Sequence, residues 1–200
     1  MTVHKIRNCF YILCFCLMVP MTIHSQESSE SSKLGLGLEI GSWKPSEISE
    51  SASLTLLEDV KKNPYFGAML LMPWRWGMTF RSSLGYWSYS TKEAVDPKKS
   101  IEIISILVDL KYSILADVIV NPYVSYGLGW FVGSEKDVKS DPQVEIGIGI
   151  NVGTGFDFKI SQKFFIAMEF RYHYVKFNRT IVFTDNYSGP KISLGIVYLF

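Results

Sequence analysis

Acidic and basic side chains recur at every second position in several stretches of this 200-residue sequence. In EFRYHY, Glu169, Arg171 and His173 share one side of an extended chain. Asp109 and Lys111 repeat the same spacing in another stretch. Side chains placed in this way can line a path for ions, or they can pair in a network that stabilises an interior.

The elements that position these side chains are β-strands, because apolar residues alternate with polar ones. In KLGLGLEIGSW, Leu36 and Leu38 fall on one face of the chain, whereas Gly35, Gly37 and Glu39 fall on the other. The alternation predicts eight strands, which span 33–43, 63–72, 77–90, 101–112, 122–133, 143–158, 163–177 and 192–200. The second of these shows no clear alternation, so its faces cannot be assigned from the sequence.

The two faces of the predicted strands differ in charge. The apolar faces carry no charged side chain, whereas the opposite faces carry glycine, serine and the charged residues Glu39, Arg81, Asp109, Lys111, Glu145, Glu169 and Arg171. So much charge-free surface is more than one small core needs, and repeated glycine suits a crowded interior better than a solvated face. We therefore predict an inverted barrel, with apolar side chains toward lipid and with these charged residues and His173 in a structural ion network inside.

The amino-terminal segment has the features of a secretory signal peptide. Lys5 and Arg7 precede an apolar run over 9–21, and Ser25 is a small residue at a suitable cleavage position. The apolar run is short for a membrane-spanning helix. These features predict a cleaved signal peptide over 1–25.

Cleavage at that point predicts a short polar periplasmic segment over 26–32 and a barrel over 33–200. It would also remove the three cysteines of the chain, which are Cys9, Cys14 and Cys16. The exported chain is then expected to have no disulfide and no thiol nucleophile. Twenty basic residues against nineteen acidic ones exclude a strongly electrostatic nucleic-acid binder.

The lengths of the connections predict the orientation of the barrel. Short turns are expected at 73–76 and 159–162, with a slightly longer one near 112–121. The alternate connections are longer and more polar, and they span 44–62, 91–100, 133–142 and 178–188. Outer-membrane barrels keep short turns in the periplasm and longer loops outside. An even number of strands then leaves both chain termini in the periplasm.

Three stretches resemble the eight-stranded outer-membrane barrels of the OmpA-type and OmpX-type family. They are PYVSYGLGW (122–130), EFRYHY (169–174) and ISLGIVYLF (192–200). The resemblance implies an all-β, eight-stranded antiparallel up-and-down transmembrane β-barrel in the cell outer membrane. It also implies two partners, outer-membrane lipid and the barrel assembly machinery, because Ile196, Tyr198 and Phe200 look like the assembly signal of that family.

No residue pattern indicates catalysis, a cofactor or a metal site. Lipid A deacylases are also eight-stranded barrels, but their pattern resembles a histidine followed two residues later by serine, whereas His173 is followed by Tyr174 and Val175. The glycines of 147–155 alternate along one strand and lack the spacing of a dinucleotide-binding loop. The sequence therefore predicts a non-enzymatic barrel with a structural or surface-interaction role, with slow small-solute permeation as an additional role.

The alternative is a soluble secreted barrel of lipocalin type that binds an apolar ligand. In such a protein the aliphatic faces line a cavity and the charged faces meet water. Alternation is the same in both designs. They differ in whether the side chains of Leu36, Ile148, Phe170 and Ile196 point outward or converge on a common centre.

Overall fold

The structure of the protein is a computed structural model. It describes residues 33–47, 64–74, 77–90, 100–115, 118–137, 140–181 and 184–200. The predicted signal peptide (1–25) and polar segment (26–32) lie outside the described residues, as do most of the predicted loops 44–62 and 91–100.

The described residues form nine antiparallel strands. They are β1 (Gly35–Trp43), β2 (Pro64–Pro73), β3 (Met78–Ser90), β4 (Ser100–Ser113), β5 (Val120–Asp137), β6 (Ser140–Lys159), β7 (Phe164–Ile181), β8 (Thr184–Asn186) and β9 (Gly189–Leu199). Strands β1 to β7 pair in chain order, β9 pairs with β7, and β1 pairs with β9, so eight strands close into a barrel. The short β8 pairs with the end of β7. The predicted all-β, eight-stranded antiparallel barrel is confirmed.

Among the described residues, no helix is long and apolar enough to cross a membrane, a finding that concerns helices alone.

Apolar side chains cover the outside of the barrel. The exposed fractions are 50–68% for Leu36, Ile148, Phe170 and Ile196, which come from four different strands. Glu169, which precedes Phe170 in β7, is buried. Alternate residues therefore point to opposite sides of the sheet, with the apolar ones outward as predicted. The lipocalin-type alternative is wrong, because it requires the apolar faces to line a cavity.

Strand β2, whose faces the sequence leaves unassigned, is apolar on both sides. Phe66 and Leu70 are exposed on the outside, and Tyr65, Met69 and Leu71 are buried inside. A strand with two apolar faces has a nearly continuous apolar sequence. Its faces therefore leave no signal with a period of two.

Two of the predicted loops are largely strand. Strand β5 continues to Asp137 and β6 begins at Ser140, so the predicted connection 133–142 is the outer end of a hairpin. Strands β7 and β8 likewise occupy much of the predicted connection 178–188. The prediction of loops there is wrong because both segments are rich in polar residues and lack a clear alternation, although they form strands. The register is also irregular between Glu135 and Asp137 and between Lys176 and Ile181, so the alternation breaks although Ile181 and Tyr187 are buried inside.

The two ends of the barrel differ in their connections. Short turns join β2 to β3, β4 to β5 and β6 to β7 at one end, which we call the short-turn end; the opposite end is the loop end. In the first of these turns Gly77 has a φ of 72°, a left-handed conformation that favours glycine. The backbone N–H of Phe200 donates to the carbonyl of Leu34 at 3.0 Å, so both ends of the described chain lie at the short-turn end.

Glycines on the inner face make room for large side chains of neighbouring strands. A Cβ on Gly67 would meet the carboxylate of Glu39. A Cβ on Gly127 would meet both the side chain of Asp109 and the backbone carbonyl of Val108. The backbone cannot swing aside as the end of a flexible side chain can, so the second site has little tolerance for added volume.

We expect Gly127→Ala to lower the free energy of unfolding by about 1–3 kcal/mol, because the added methyl group overpacks the interior. Gly35→Ala is the matched control, since its methyl group would first meet the flexible end of Leu199, at 3.0 Å. Denaturant unfolding of the barrel folded in phospholipid vesicles measures both. Equal losses of stability in the two variants would contradict the steric explanation.

Candidate functional site

Eight charged side chains meet inside the barrel, and we call this set the charged layer. Its members are Glu39, Arg81, Asp109, Lys111, Asp157, Glu169, Arg171 and Lys191, and each is at most 8% exposed. They belong to six different strands, β1, β3, β4, β6, β7 and β9. Closure of the sheet therefore brings together groups that are far apart in the chain.

Two arginines and two carboxylates form the centre of the charged layer. Arg81 donates from Nε to Asp109 at 3.1 Å and from Nη2 to Glu169 at 2.8 Å. Arg171 Nη2 lies 3.0 Å from Asp109 Oδ2 and 3.0 Å from Glu169 Oε2. Each guanidinium thus contacts both carboxylates. Close pairing of this kind offsets the cost of removing the four charges from water.

Two lysine–carboxylate pairs flank this centre. Lys191 Nζ donates to the two carboxylate oxygens of Glu39 at 2.9 and 3.0 Å. It also lies 3.9 Å from the ring centre of Tyr65, where the face of the ring attracts a cation. Lys111 Nζ donates to Asp157 at 2.5 Å. Both buried ammonium groups therefore have a carboxylate partner.

The charged layer has no net formal charge. Its four acids are Glu39, Asp109, Asp157 and Glu169, and its four bases are Arg81, Lys111, Arg171 and Lys191. Every member contacts at least one partner of opposite sign. Ion-selective paths are typically lined by charges of one sign, so a balanced and paired set favours a structural role.

Apolar clusters lie on both sides of the charged layer. The turn-end cluster consists of Met69, Leu71, Phe165, Ala167 and Val197. The loop-end cluster consists of Trp43, Tyr65, Trp87, Ile101, Ile103, Leu107, Phe131, Val175, Phe177, Ile181 and Tyr187. The inner face of β7 passes through all three levels, from Phe165 through Glu169 and Arg171 to Val175 and Phe177. The described interior is therefore an ionic layer between two apolar ones.

Aromatic side chains dominate the loop-end cluster. Trp87 donates from its indole nitrogen to the backbone carbonyl of Trp43 at 2.8 Å, and the two ring systems are 5.2 Å apart. The Tyr187 hydroxyl donates to the carbonyl of Ile181 at 2.7 Å. These bonds satisfy polar tips that would otherwise be costly to bury. The cluster therefore fills the loop end of the barrel with large side chains, two of which are held in place by hydrogen bonds.

Six of the eight predicted network residues belong to the charged layer, and two lie elsewhere. Glu145 stands nearer the loop end of β6, where its carboxylate is 4.0 Å from Arg179. His173 is buried against Trp43 and Phe131, with ring centres 5.3 and 6.0 Å away. Alternation indicates the side of the sheet on which a residue lies, but not its height along the barrel. That these residues act structurally stays a prediction.

Asp157 and Lys191 belong to the charged layer but are absent from the sequence-based prediction. Both follow the alternation of their strands. Asp157 falls within the predicted strand 143–158 but is not among the charged residues assigned to its inner face, and the last predicted strand begins at 192, one residue after Lys191. In the structure β9 begins at Gly189. Gly189 and Pro190 look like a turn in the sequence, but both pair with β7. Extending the alternation to the strand ends would have found both residues.

The chemistry available at the charged layer is the pairing of charges. In the part of the chain that the structure describes, no group of three or more His, Cys, Asp and Glu side chains is placed to hold a metal ion. His173 lies among aromatic rings inside the barrel, on the side of the sheet away from the exposed apolar wall. A lipid-modifying histidine would instead have to reach that wall.

The predicted assembly residues stand on the outer surface near the carboxyl terminus. Ile196 and Tyr198 of β9 and the terminal Phe200 are all exposed. The ring centres of Tyr198 and Phe200 are 6.0 Å apart, so they form one aromatic surface. Recognition of these residues by the assembly machinery stays a prediction.

Glu47 joins the start of the first long loop to β8. Its carboxylate accepts hydrogen bonds from the Thr184 hydroxyl and from the Asn186 amide, the latter at 2.8 Å. The backbone N–H of Ser46 donates to the carbonyl of Ser188 at 2.8 Å beside this contact. The bond from Thr184 first, and that from Asn186 second, lower the pKa of Glu47 below its ordinary 4.5, because both favour the ionised form.

The family model of the outer membrane protein beta-barrel domain matches residues 12–200. The chain belongs to this family. Members of an outer membrane barrel family lie in lipid, so the exposed apolar wall of this barrel is its lipid-facing surface. A comparison with curated proteins found no match.

Solved structures of other outer membrane barrels share the fold. Neisserial surface protein A is 16% identical over 87% of this chain and 100% of its own, with a TM-score of 0.61. The amino-terminal β-barrel domain of Pseudomonas aeruginosa OprF is 14% identical over 85% and 98%, with a TM-score of 0.55. The attachment invasion locus protein of Yersinia pestis is 15% identical over 84% and 97%, with a TM-score of 0.53. At these identities the likeness concerns the fold alone.

We expect Arg171→Ala to lower the free energy of unfolding by about 3–5 kcal/mol, because it leaves two buried carboxylates short of a partner. The matched control is Arg179→Ala on the same strand. The Arg171 side chain is 1% exposed and that of Arg179 is 81% exposed, so the control should lose no more than about 1 kcal/mol. Denaturant unfolding in vesicles measures both losses. Similar values for the two variants would contradict the charged layer as a stabilising element.

The lowered pKa of Glu47 predicts a stability that depends on pH. A carboxyl group whose pKa is depressed by folding stabilises the fold above its unfolded pKa, and this contribution is lost as the pH falls through the folded value. We therefore expect the stability difference between the wild type and Glu47→Gln to be largest near pH 7 and to shrink below about pH 4.5. Denaturant unfolding at a series of pH values measures it. A difference that is independent of pH would contradict the assignment.

Proposed function

We propose that this outer membrane protein is a closed barrel with a structural or surface-interaction role, without pore or enzyme activity. The observation that carries this proposal is the charged layer, which is neutral and lies between the turn-end and loop-end clusters. An eight-stranded barrel is just wide enough for side chains to fill it. The described interior of this barrel is accordingly filled by packed side chains.

Passage of solutes would require rearrangement both at the charged layer and at the loop-end cluster. At the charged layer, separating Arg171 from its carboxylates would leave uncompensated buried charge, at a cost of about 3–5 kcal/mol. At the loop-end cluster, the large indole rings of Trp43 and Trp87 are less than 2% exposed. Both features argue against slow permeation as the main role.

The loop end is the part of the barrel best suited to contacts outside the membrane. Strands β5 and β6 are 18 and 20 residues long, whereas about 9–11 residues are enough for a tilted strand to span the bilayer. Glu47 links a neighbouring loop to β8 at the same end. Segments presented by a rigid scaffold in this way are the usual carriers of binding. A surface-interaction role would therefore reside here.

The proposed orientation places the short-turn end and both chain ends in the periplasm. It is supported by the hydrogen bond between Phe200 and Leu34, which joins the two ends of the described barrel beside the short turns. Outer-membrane barrels keep short turns on the periplasmic side. In this orientation Ile196, Tyr198 and Phe200 are available to the barrel assembly machinery from the periplasm.

Planar-bilayer recording tests the closed-barrel proposal. We expect the wild type, Arg171→Ala and Arg179→Ala to show no large discrete conductance, although the first variant melts at a lower temperature. Heated and unheated gel mobility checks that each barrel is folded before recording. A large conductance that Arg171→Ala alters without a change in melting temperature would contradict a structural charged layer and support an ion path.

A further inference from the structure

The four described residues of the short turn between β4 and β5 are apolar and exposed, unlike those of most turns. We call the exposed residues of this turn, together with their neighbour in the β6–β7 turn, the apolar turn patch; they are Ile114, Leu115, Val118, Ile119 and Ile160. The most exposed is Ile119, at 74%. Residues 116 and 117 lie outside the described part of the chain. A contiguous exposed apolar patch on a protein surface usually marks contact with a partner or a membrane.

Backbone hydrogen bonds hold the patch in place. The N–H of Ile114 donates to the carbonyl of Pro122 at 2.9 Å, which closes the turn between its two strands. The N–H of Lys159 donates to the carbonyl of Ile119 at 2.8 Å, which ties the turn to the end of β6 beside Ile160. The exposed side chains therefore belong to a defined surface at the edge of the barrel.

On β4, apolar side chains lead from the lipid-facing wall to the patch. Five apolar residues at alternate positions on the outer face of β4 lead to Ile114, and all are exposed or half-buried; they are Ile104, Ile106, Val108, Leu110 and Tyr112. From Ile104 to Ile114 a strand tilted by roughly 40° rises about 25 Å, which is the height of the apolar band of outer membrane barrels. An apolar band that begins at Ile104 therefore ends near Ile114, and the other residues of the turn follow it.

Groups that suit a phospholipid interface surround the patch. Trp74, in the β2–β3 turn at the same end, is exposed, and tryptophan is enriched at membrane–water interfaces. Lys163, at the end of the β6–β7 turn, is also exposed. Lysine side chains at this depth extend their ammonium groups toward lipid phosphates while their methylene groups stay in the apolar region.

We propose that the apolar turn patch is an interfacial membrane anchor, inserted at the boundary between headgroups and acyl chains of the phospholipid leaflet beside the short turns. The occupant of this surface is lipid because the patch is continuous with the established lipid-facing wall. The proposal rests on the outer membrane setting and is independent of which leaflet faces the periplasm and of the role of the loop end.

Site-directed spin labelling tests the anchor. The background is the full chain with its three cysteines replaced by serine, refolded in phosphatidylcholine–phosphatidylglycerol vesicles. Single labels are introduced by Ile119→Cys at the patch, Leu128→Cys on the lipid-facing wall and Gln162→Cys, an exposed polar site in the β6–β7 turn. Electron paramagnetic resonance then compares the accessibility of each label to oxygen, which enters lipid, and to a nickel chelate, which stays in water.

We expect the label at Ile119 to be several-fold less accessible to the nickel chelate than the label at Gln162, and to have an oxygen accessibility between those of the labels at Gln162 and Leu128. Equal access to the chelate at Ile119 and Gln162 would overturn the anchor and leave the patch as a surface for a protein partner. A water-exposed label at Leu128 would contradict both the anchor and the membrane setting, so the two failures are distinguishable.

Discussion

Hydrogen bonds between β1 and β9 close the sheet, and this closure lets the wall be surrounded by lipid. Hydrocarbon contains no water to satisfy backbone N–H and C=O groups, so a sheet can cross it only when both of its edges are paired. The register from Gly35 opposite Leu199 to Trp43 opposite Lys191 meets that requirement. Once the sheet is closed, the side on which each residue lies decides whether it meets lipid or other side chains.

Closure with only eight strands makes the interior narrow, and its composition follows from that constraint. Inner glycines such as Gly67 and Gly127 lie where neighbouring strands contribute carboxylates. The charges then stand close enough to pair, with Arg81 and Arg171 shared between Asp109 and Glu169. Since an unpaired charge would be costly in this environment, pairing and neutrality belong together.

The two ends of the barrel meet their surroundings differently. At the loop end β5 and β6 continue beyond the apolar band, and β8 is held to a neighbouring loop by Glu47. At the short-turn end the described residues of the β4–β5 turn are apolar and adjoin the lipid-facing wall. The loop end therefore extends into water, whereas the short-turn end stays close to the membrane.

Alternation in the sequence by itself determined eight strands and the side on which most residues lie, because a period of two is a local property of an extended chain. It placed Phe170 outside, and Glu169 and Arg171 inside. Only the tertiary structure decided which charges meet, since Arg81 and Glu169 are 88 residues apart and their contact depends on closure and register. It also decided the height of Glu145 and the strand character of 133–142, because alternation carries no information about depth and breaks where the strand register is irregular.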